Sequence, residues 1–352
     1  MVSVDELNTT LALLRKEYQM TFARSSPFMR QLFDKKKVRN VQGGTHIEEV
    51  LMTSGTAQGI AVINGFEVAP IVRRQSTKQL KVQYGEFFAP LAIPGKDMRE
   101  NQGTQGIVKL TKLYVEANKE AFQQDFNKYN LTGQTDNRIG PSSAYYGFTC
   151  LNGQFTSGAA EGTENGLLDF STPATQSDTV EGVAKSVASG HYNQYADISL
   201  WATDGYENLT NAYIAAQAYA VNNGSMMMGP DLIINDQLSY SKFVSSKADS
   251  TRITILDART EGKNSMANTF YNAMVTFDPA LDLSIFTGVA ADGVWYGINS
   301  DFWAMEVLHD FEISNWVDLL AAQDVATSKL IFHGQTICSR LNAQFAISGG
   351  SL

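Results

Sequence analysis

Histidines are the residues of this chain best suited to bind a transition metal, and their spacing argues against such a site. The chain has four, His46, His191, His309 and His333. No His-x-His or HExxH pattern brings two imidazoles onto one face of an element. His309 and Asp310 form a neighbouring histidine–carboxylate pair, which is typical of a solvated surface. The sequence therefore predicts no metal site.

The two cysteines are the remaining candidates for nucleophilic chemistry. Cys150 and Cys338 each lie in an apolar, strand-like run, where a thiol is usually buried and unreactive. They are far apart and form no CxxC motif, which favours a reducing compartment and argues against a disulfide scaffold. The sequence also contains no GxGxxG, GxxxxGK[ST] or GxSxG motif. We predict that the protein is not an enzyme and uses no cofactor.

Composition indicates a folded protein with a substantial core. The chain has 352 residues, of which 43% are hydrophobic and 18% charged, so it is long enough for about two domains. This balance excludes a mainly disordered chain. No run approaches the roughly 18 unbroken apolar residues of a membrane span, and no apolar core follows a basic start. We therefore predict neither a membrane segment nor a secretory signal.

Charge is distributed unevenly along the chain. Residues 1–130 contain 18 lysines and arginines against 13 acidic residues, whereas residues 131–352 contain 9 against 23. The basic residues form no dense run beyond 35–39, so the pattern does not favour nucleic-acid recognition. The basic part of one copy could instead lie against the acidic part of another. The alternative is a solvated surface of uneven charge.

The first hundred residues contain elements that are too short to be stable alone. Leu7, Leu11 and Leu14 recur at helical spacing, and Ser26-Pro27 begins a second helical turn. The second turn contains the apolar residues Phe28, Leu32 and Phe33. Further on, Leu80, Val82 and Tyr84 alternate with polar residues, and 66–72 offers a partner strand. These patterns predict a helical arm and a long two-stranded ribbon, each marginal in isolation.

The longest helix signal covers Gln105 to Tyr129. Two adjacent apolar stripes occupy more than half of its circumference, so we predict a central, buried helix. The stripes contain Ile107, Leu110, Tyr114, Ala117 and Ala121, and Val108, Val115, Phe122, Phe126 and Tyr129. Phe122 and Phe126 are expected to pack against a C-terminal strand that contains Leu341, Phe345 and Ile347.

The rest of the chain mixes loops, strands and two further helices. Residues 133–190 are rich in Gly, Ser, Thr and Asn, with strand-like fragments at 145–151 and 166–170. Asp204 and Asp236 are each expected to cap a helix, and a short buried strand covers 230–235. Further strands are predicted at residues 271–277, 294–299 and 336–348.

This order of elements resembles the major capsid proteins of tailed bacteriophages, which have the Hong Kong 97-like fold. The resemblance implies an α+β subunit with an N-terminal arm, an extended β-hairpin called the E-loop, a P-domain with a long spine helix, and an A-domain. It assigns 1–40 to the arm, 41–102 to the E-loop, 103–200 to the P-domain, 201–327 to the A-domain and 328–352 to a strand that returns to the P-domain.

The resemblance also implies a function. It predicts a structural protein that assembles as hexamers and pentamers into an icosahedral head around double-stranded DNA, which it would not bind sequence-specifically. The expected partners are other copies of the chain, a separate scaffolding protein, a portal and a decoration protein. The expected location is the virion, assembled in the cytoplasm of the bacterial host. Some relatives form Lys–Asn crosslinks from the E-loop, where this chain has Lys78 and Lys81.

Candidate contacts between copies come from the arm and the ribbon. We expect the apolar arm residues to clamp a neighbour and the basic ribbon residues to meet acidic surfaces. These candidates are Leu7, Leu11, Leu14, Phe28, Phe33, Arg73, Arg74, Lys78 and Lys81. The alternatives that remain open are an encapsulin-like nanocompartment, a phage tail or surface-layer subunit, and a soluble cysteine- or metal-dependent hydrolase.

Overall fold

The computed structural model describes most of the chain as four β-sheets, two of them with only two strands, and five α-helices. The described residues are 26–52, 77–100, 104–132, 150–151, 166–176, 179–187, 190–220, 228–249, 268–281, 293–318 and 325–349. Their α-helices are α1 (Pro27–Asp34), α2 (Gly95–Glu100), α3 (Thr104–Thr132), α4 (Tyr206–Tyr219) and α5 (Gln237–Asp249).

The described strands fall into two larger sheets and two hairpins. In chain order they are β1 (Val38–Asn40), β2 (His46–Met52), β3 (Thr77–Gln83), β4 (Gly85–Pro94), β5 (Thr179–Val180), β6 (Val183–Ala184), β7 (Gln194–Ile198), β8 (Leu232–Asn235), β9 (Asn268–Phe270), β10 (Ala273–Phe277), β11 (Val294–Ile298), β12 (Trp303–Ile313), β13 (Val317–Asp318), β14 (Val325–Cys338) and β15 (Phe345–Gly349). The predicted strand at 66–72 and most of that at 145–151 lie outside the described residues.

The first sheet has five strands and is organised around β14. β14 pairs antiparallel with β4, β12 and β13, and β12 pairs parallel with β1. Alternate side chains of β4 and β14 point to one face, where Leu91, Ile93 and Phe332 join the main core. The long helix α3 packs on this same face.

The long helix confirms one prediction and corrects another. It runs from Thr104 to Thr132, slightly beyond the predicted ends. Phe122 and Phe126 are buried as expected, but their ring partners are Phe87 on β4 and Phe332 on β14. The expected packing against Phe345 and Ile347 is wrong, because these two residues belong to a different core, whereas Leu341 shares the core of Phe122 and Phe126.

The second sheet has six strands in the order β7-β15-β11-β8-β10-β9. Residues on one of its faces extend the main core, whereas Ile233, Trp295, Phe345 and Ile347 point to the other face and form a second core with α4 and α5. Leu341 lies between β14 and β15 and belongs to the main core. The 3-10 turn Leu341–Ala343 interrupts the strand predicted at 336–348, so Leu341 is separated from Phe345 and Ile347, which the sequence analysis had placed in one strand with it.

The arm helix α1 is part of the main core. Phe28, Met29 and Leu32 are each at most 2% exposed, and the Phe28 ring meets the Trp303 ring edge to face at 5.3 Å. Pro27 occupies the first turn of α1, where the missing N–H costs no hydrogen bond. Because its apolar face is covered by its own subunit, α1 is stabilised by tertiary packing.

Polar side chains also attach α1 to the six-stranded sheet. Asp231, just before β8, accepts hydrogen bonds from the Gln31 amide at 2.7 Å and from the Ser300 backbone at 2.8 Å. Lys35 pairs with the same carboxylate at 2.7 Å. Burial opposes the charge of Asp231, but these donors together hold its pKa below the ordinary value.

Three local predictions have clear outcomes. Asp236 accepts hydrogen bonds from the backbone N–H groups of Leu238 and Ser239, both at 3.0 Å, and so caps α5 as predicted. Asp204 was predicted to cap a helix but accepts from the backbone N–H groups of Ser199 and Leu200, which precede it. It lies in a π-helical turn, Trp201–Gly205, that leads into α4. The fragment at 166–170 has no extended strand, only an isolated bridge.

Candidate assembly interface

The base of the ribbon is formed by β2 and β3, which pair antiparallel from His46–Gln83 to Met52–Thr77. Its inner face is buried against the same subunit: Ile47 and Val82 join Ala304 and Ile337 in one small core. Leu51, Leu80 and Val183 form another. The described part of the ribbon is therefore docked on its own chain.

The outer face of the ribbon is exposed and mixes charge with apolar surface. Val50 is 67% exposed, and Gln79 opposite it donates a hydrogen bond to Glu48. Lys81 is exposed on this outer face, whereas Lys78 is exposed at the end of β3 on the opposite face, which it shares with Leu51 and Leu80. The contact of both lysines with a neighbour stays a prediction. Arg73, Arg74, Leu7, Leu11 and Leu14 lie outside the described residues.

Two arm residues predicted as contacts have different environments. Phe28 is 2% exposed inside its own core, so its assignment as a contact between copies is wrong. The apolar face of an eight-residue helix is first needed for packing within the subunit. Phe33, on the other side of α1, keeps 38% of its surface and stays a predicted contact.

The outward face of the five-stranded sheet exposes large apolar side chains. Phe88 on β4 is 57% exposed and pairs with Ile331 on β14. Val317 on β13 is 59% exposed and lies opposite Thr327. The remaining members of this face are Glu86, Pro90, Ala92, Pro94, Val325, Lys329 and His333. We call this set the outer sheet face.

The edge of the sheet beside the outer sheet face is protected against pairing with a further strand. Among the described strands, β4 pairs with β14 alone, which makes it an edge strand. Pro90 and Pro94 have no backbone N–H, and proline on an edge strand hinders pairing with another strand. Another molecule would therefore dock on the face of the sheet rather than extend it at this edge.

The long helix has an exposed apolar stripe on the side opposite its buried residues. Leu113 is 64% exposed, and Ala117 and Ala121 follow it at intervals of four residues, both exposed. Leu113 lies nine residues before Phe122, which places the two side chains about 180° apart around the helix. The expectation that both apolar stripes are buried is therefore wrong for the described side chains. Leu113 itself was missed because it lies outside the two stripes that the sequence analysis followed.

The six-stranded sheet carries an exposed aromatic cluster at one margin. Tyr271, in the tight turn between β9 and β10, is 61% exposed and stacks on Tyr213 at 5.0 Å. Tyr206 is half exposed and contacts the Phe270 ring edge to face. The backbone of Tyr271 has a φ of 49°, a left-handed conformation that is rare for a bulky residue.

In the described part of the chain, side chains that could bind a metal or act as a nucleophile are either far apart or buried. The described residues contain no group of three or more His, Cys, Asp or Glu side chains that could hold a metal ion. His309 pairs with Glu312 at 3.5 Å on the surface. Both cysteines are free and buried, and burial raises the pKa of the Cys338 thiol well above its ordinary value, which opposes formation of the thiolate. Among the helices described, none is long and apolar enough to cross a membrane.

Comparison with known proteins identifies the fold through structure. No protein-family model matches the sequence, and no curated protein matches it. The capsid protein in the asymmetric unit of cyanophage A-1(L) aligns with a TM-score of 0.57 at 12% identity, covering 90% of this chain and 91% of that one. The capsid of the empty GTA particle aligns with a TM-score of 0.51 at 9% identity, covering 90% and 95%. The native GTA capsid aligns with a TM-score of 0.50 at 8% identity, covering 91% of this chain and 89% of that one.

These alignments extend over about nine tenths of each chain, so they compare nearly all of the elements. The chain is an α+β protein with the Hong Kong 97-like fold of these capsid proteins. At identities near 10%, the similarity defines the fold but does not assign roles to individual residues of this chain. The surfaces that could serve assembly are therefore taken from this chain's own exposed residues.

Proposed function

We propose that this protein is the major capsid protein of a tailed bacteriophage, a structural subunit that assembles with copies of itself into an icosahedral head around double-stranded DNA. In this proposal the subunits form hexamers and pentamers, and the finished shell is part of the virion. Assembly takes place in the cytoplasm of the bacterial host. The fold supports the proposal, because the solved structures compared above, which share it, are capsid proteins.

The outer sheet face is the observation that carries the proposal for this particular chain. Phe88 and Val317 each leave more than half of their surface exposed. Large apolar side chains grouped on one face typically mark a protein interface, since a contiguous patch of this kind is rare on a monomer. Repeated contacts between such faces and a different surface of the next copy generate rings and shells.

The ribbon and the charge asymmetry supply a second, weaker contact. We propose that Lys78, Lys81, Arg73 and Arg74 meet acidic surfaces contributed by residues 131–352 of a neighbour. Exposed ion pairs contribute only about 0.2–1 kcal/mol each, but a shell repeats each contact in every subunit. This contribution is expected to weaken as salt is added.

Electron microscopy of the purified protein tests the proposal directly. We expect closed shells of uniform size from the wild type under conditions that favour association, rather than tubes or sheets. Phe88→Asp should leave a folded subunit with an unchanged Tm that does not form shells. Phe88→Leu, which keeps the surface apolar, is the matched control and should assemble.

Two outcomes would reject parts of the proposal. A wild type that remains monomeric at every salt and protein concentration, both alone and after co-expression with the neighbouring genes of its source genome, would contradict the shell function. Shells formed equally by Phe88→Asp and Phe88→Leu would show that the outer sheet face is not the contact. Scaffolding, portal and decoration proteins are further proposed partners, which co-expression with the neighbouring genes of the source genome would test.

A further inference from the structure

A tight turn fastens the ribbon to the rest of the subunit. Glu181 and Gly182 connect β5 to β6, with φ angles of 54° and 73°. The backbone N–H of Lys81 on β3 donates to the carbonyl of Glu181 at 3.0 Å. A Cβ atom on Gly182 would lie 3.3 Å from the Lys81 carbonyl oxygen, so the turn lies directly against the ribbon. Its conformation requires left-handed backbone at both residues.

The side chain of Glu181 continues this connection into the five-stranded sheet. It is fully buried, and its Oε1 accepts a hydrogen bond from the backbone N–H of Cys338 at 2.8 Å. Glu181 therefore contacts the ribbon through its backbone and β14 through its carboxylate. Displacing this one residue would release the ribbon from the turn and leave a β14 amide without its acceptor.

A buried histidine faces the same carboxylate. His191 is fully buried, and its Nε2 lies 3.6 Å from Oε2 of Glu181. Lys185, also buried, pairs with Asp169 at 3.0 Å and donates to the carbonyl of Gly166. Lys78 adds a positive charge from the ribbon, so the charged groups around His191 come from the turn, the loop and the ribbon.

Burial and two nearby lysines oppose the protonation of His191 and outweigh the Glu181 carboxylate at 3.6 Å, which would favour it. Burial has the largest effect, and the charges of Lys185 and Lys78 add to it, so the pKa of His191 falls from the ordinary 6.5 to about 3. The thiol of Cys338, raised in pKa, contributes no charge. At neutral pH the closed site therefore contains an uncharged imidazole. If the site opens to water, the imidazole regains its ordinary affinity for a proton.

We propose that the Glu181–His191 site is an acid-sensitive lock between the ribbon and the body of the subunit. As pH falls from about 6.5 towards 3, the open form binds a proton that the closed form does not. Each unit of pH in this window therefore favours opening by up to about tenfold. The inference goes beyond the proposed function and does not depend on it, because the lock lies within one subunit.

Hydrogen exchange of the full-length protein tests the lock. Exchange rates, corrected for the intrinsic effect of pH, are measured at about pH 6.5 and about pH 5.5 for peptides from the ribbon and from the six-stranded sheet. We expect protection of the wild-type ribbon to fall severalfold, up to about tenfold, while the six-stranded sheet stays protected. His191→Gln, which cannot take up the proton, should abolish this change. His309→Gln, at an exposed histidine, should preserve it.

Three results would overturn the proposal. The first is a ribbon whose corrected protection in the wild type does not change with pH. The second is an equal loss of protection in the ribbon and in the six-stranded sheet, which would indicate global unfolding. The third is the same response in His191→Gln as in the wild type. If His191→Gln does not fold, the contrast between ribbon and six-stranded sheet in the wild type still decides, because only a local lock confines the change to the ribbon.

Discussion

The arm helix packs its main apolar face inside the subunit, whereas the long helix packs one apolar side there and leaves another exposed. The eight-residue arm helix places Phe28, Met29 and Leu32 completely inside the main core. The 29-residue long helix buries Phe122 and Phe126 on one side and leaves Leu113 64% exposed on the other. The shorter element, expected to reach a neighbour, is docked on its own subunit, and the longer one has a free apolar side.

This difference follows from what each helix needs for stability. A helix of two turns is unstable in water and forms only when its apolar face is covered, so the arm helix uses its face within the subunit. The long helix already gains packing along many turns on one side. Its opposite stripe of Leu113, Ala117 and Ala121 is not needed for folding and is available for assembly.

Removing a ring from the buried side of the long helix should have the largest effect. Phe126→Ala deletes a side chain that contacts the Phe87 and Phe332 rings. Such a change typically costs about 3–5 kcal/mol, a large part of the stability of a domain. The matched variant is Leu113→Ala on the free side, with an expected cost within about 0.5 kcal/mol. Equal losses in urea unfolding would contradict the two-sided description of this helix.

The arm helix offers the same contrast within eight residues. Phe28→Ala removes the ring that meets Trp303 in the core and should cost about 3 kcal/mol or somewhat more. Phe33→Ala, on the 38% exposed side, should change the free energy of unfolding by about 0.5 kcal/mol or less. Thermal unfolding of both variants provides the measurement. A Phe28→Ala protein with the wild-type Tm would mean that the arm helix is not part of the core.

The polar attachment of the arm helix should contribute less than its apolar face. Asp231→Asn removes the charge that pairs with Lys35 and receives hydrogen bonds from Gln31 and Ser300. We expect a loss of about 1–2 kcal/mol, since the site keeps some solvent access and an amide can retain part of the hydrogen bonding. Asp34→Asn, at an exposed pair with Arg30 on the same helix, is the control and should have little effect. Chemical denaturation of the two variants provides the measurement. Equal free energies of unfolding would show that the polar attachment is unimportant.

The smallest expected effect is a difference in pH dependence at the same carboxylate. The pKa of Asp231 is below its ordinary 3.8 in the folded protein, so the unfolded chain is protonated first as pH falls. The stabilisation by Asp231 is present above pH 3.8 and is lost as pH falls below that value, through the folded pKa. Tm should therefore decrease more for the wild type than for Asp231→Asn between about pH 5 and about pH 3. Parallel curves would exclude this linkage.

Elements with strong periodicity could be predicted from the sequence, and their partners could not. The span of the long helix and the cap at Asp236 follow from local patterns, because both depend on residues within a few positions of each other. The partner of Phe126 depends on which strand crosses the helix. Phe332 and Phe345 both lie in apolar alternating runs near the C-terminus, and no local signal distinguishes them.

The candidate interface shows the same limit. The exposure of Lys81 agrees with its alternation with Leu80 and Val82 in β3, which the sequence already displays, whereas Lys78 is exposed although it shares the face of Leu80. Phe87 and Phe88 are adjacent in β4 and point to opposite faces of the sheet, as the sequence also predicts. The sequence does not show which of these faces packs against the long helix. The lock at Glu181 and His191 has no sequence signal, because its residues converge from a loop, a turn and a ribbon.

The sequence by itself determined the element order, the α+β class and the absence of recognisable catalytic motifs, since each depends on residue types and short spacings. Tertiary structure alone decided which apolar faces belong to the core and which remain free. Leu113 and Phe122 are both large apolar residues of one helix, and only the position of the five-stranded sheet makes one buried and the other exposed. Burial is a property of long-range packing, which local periodicity constrains but does not specify.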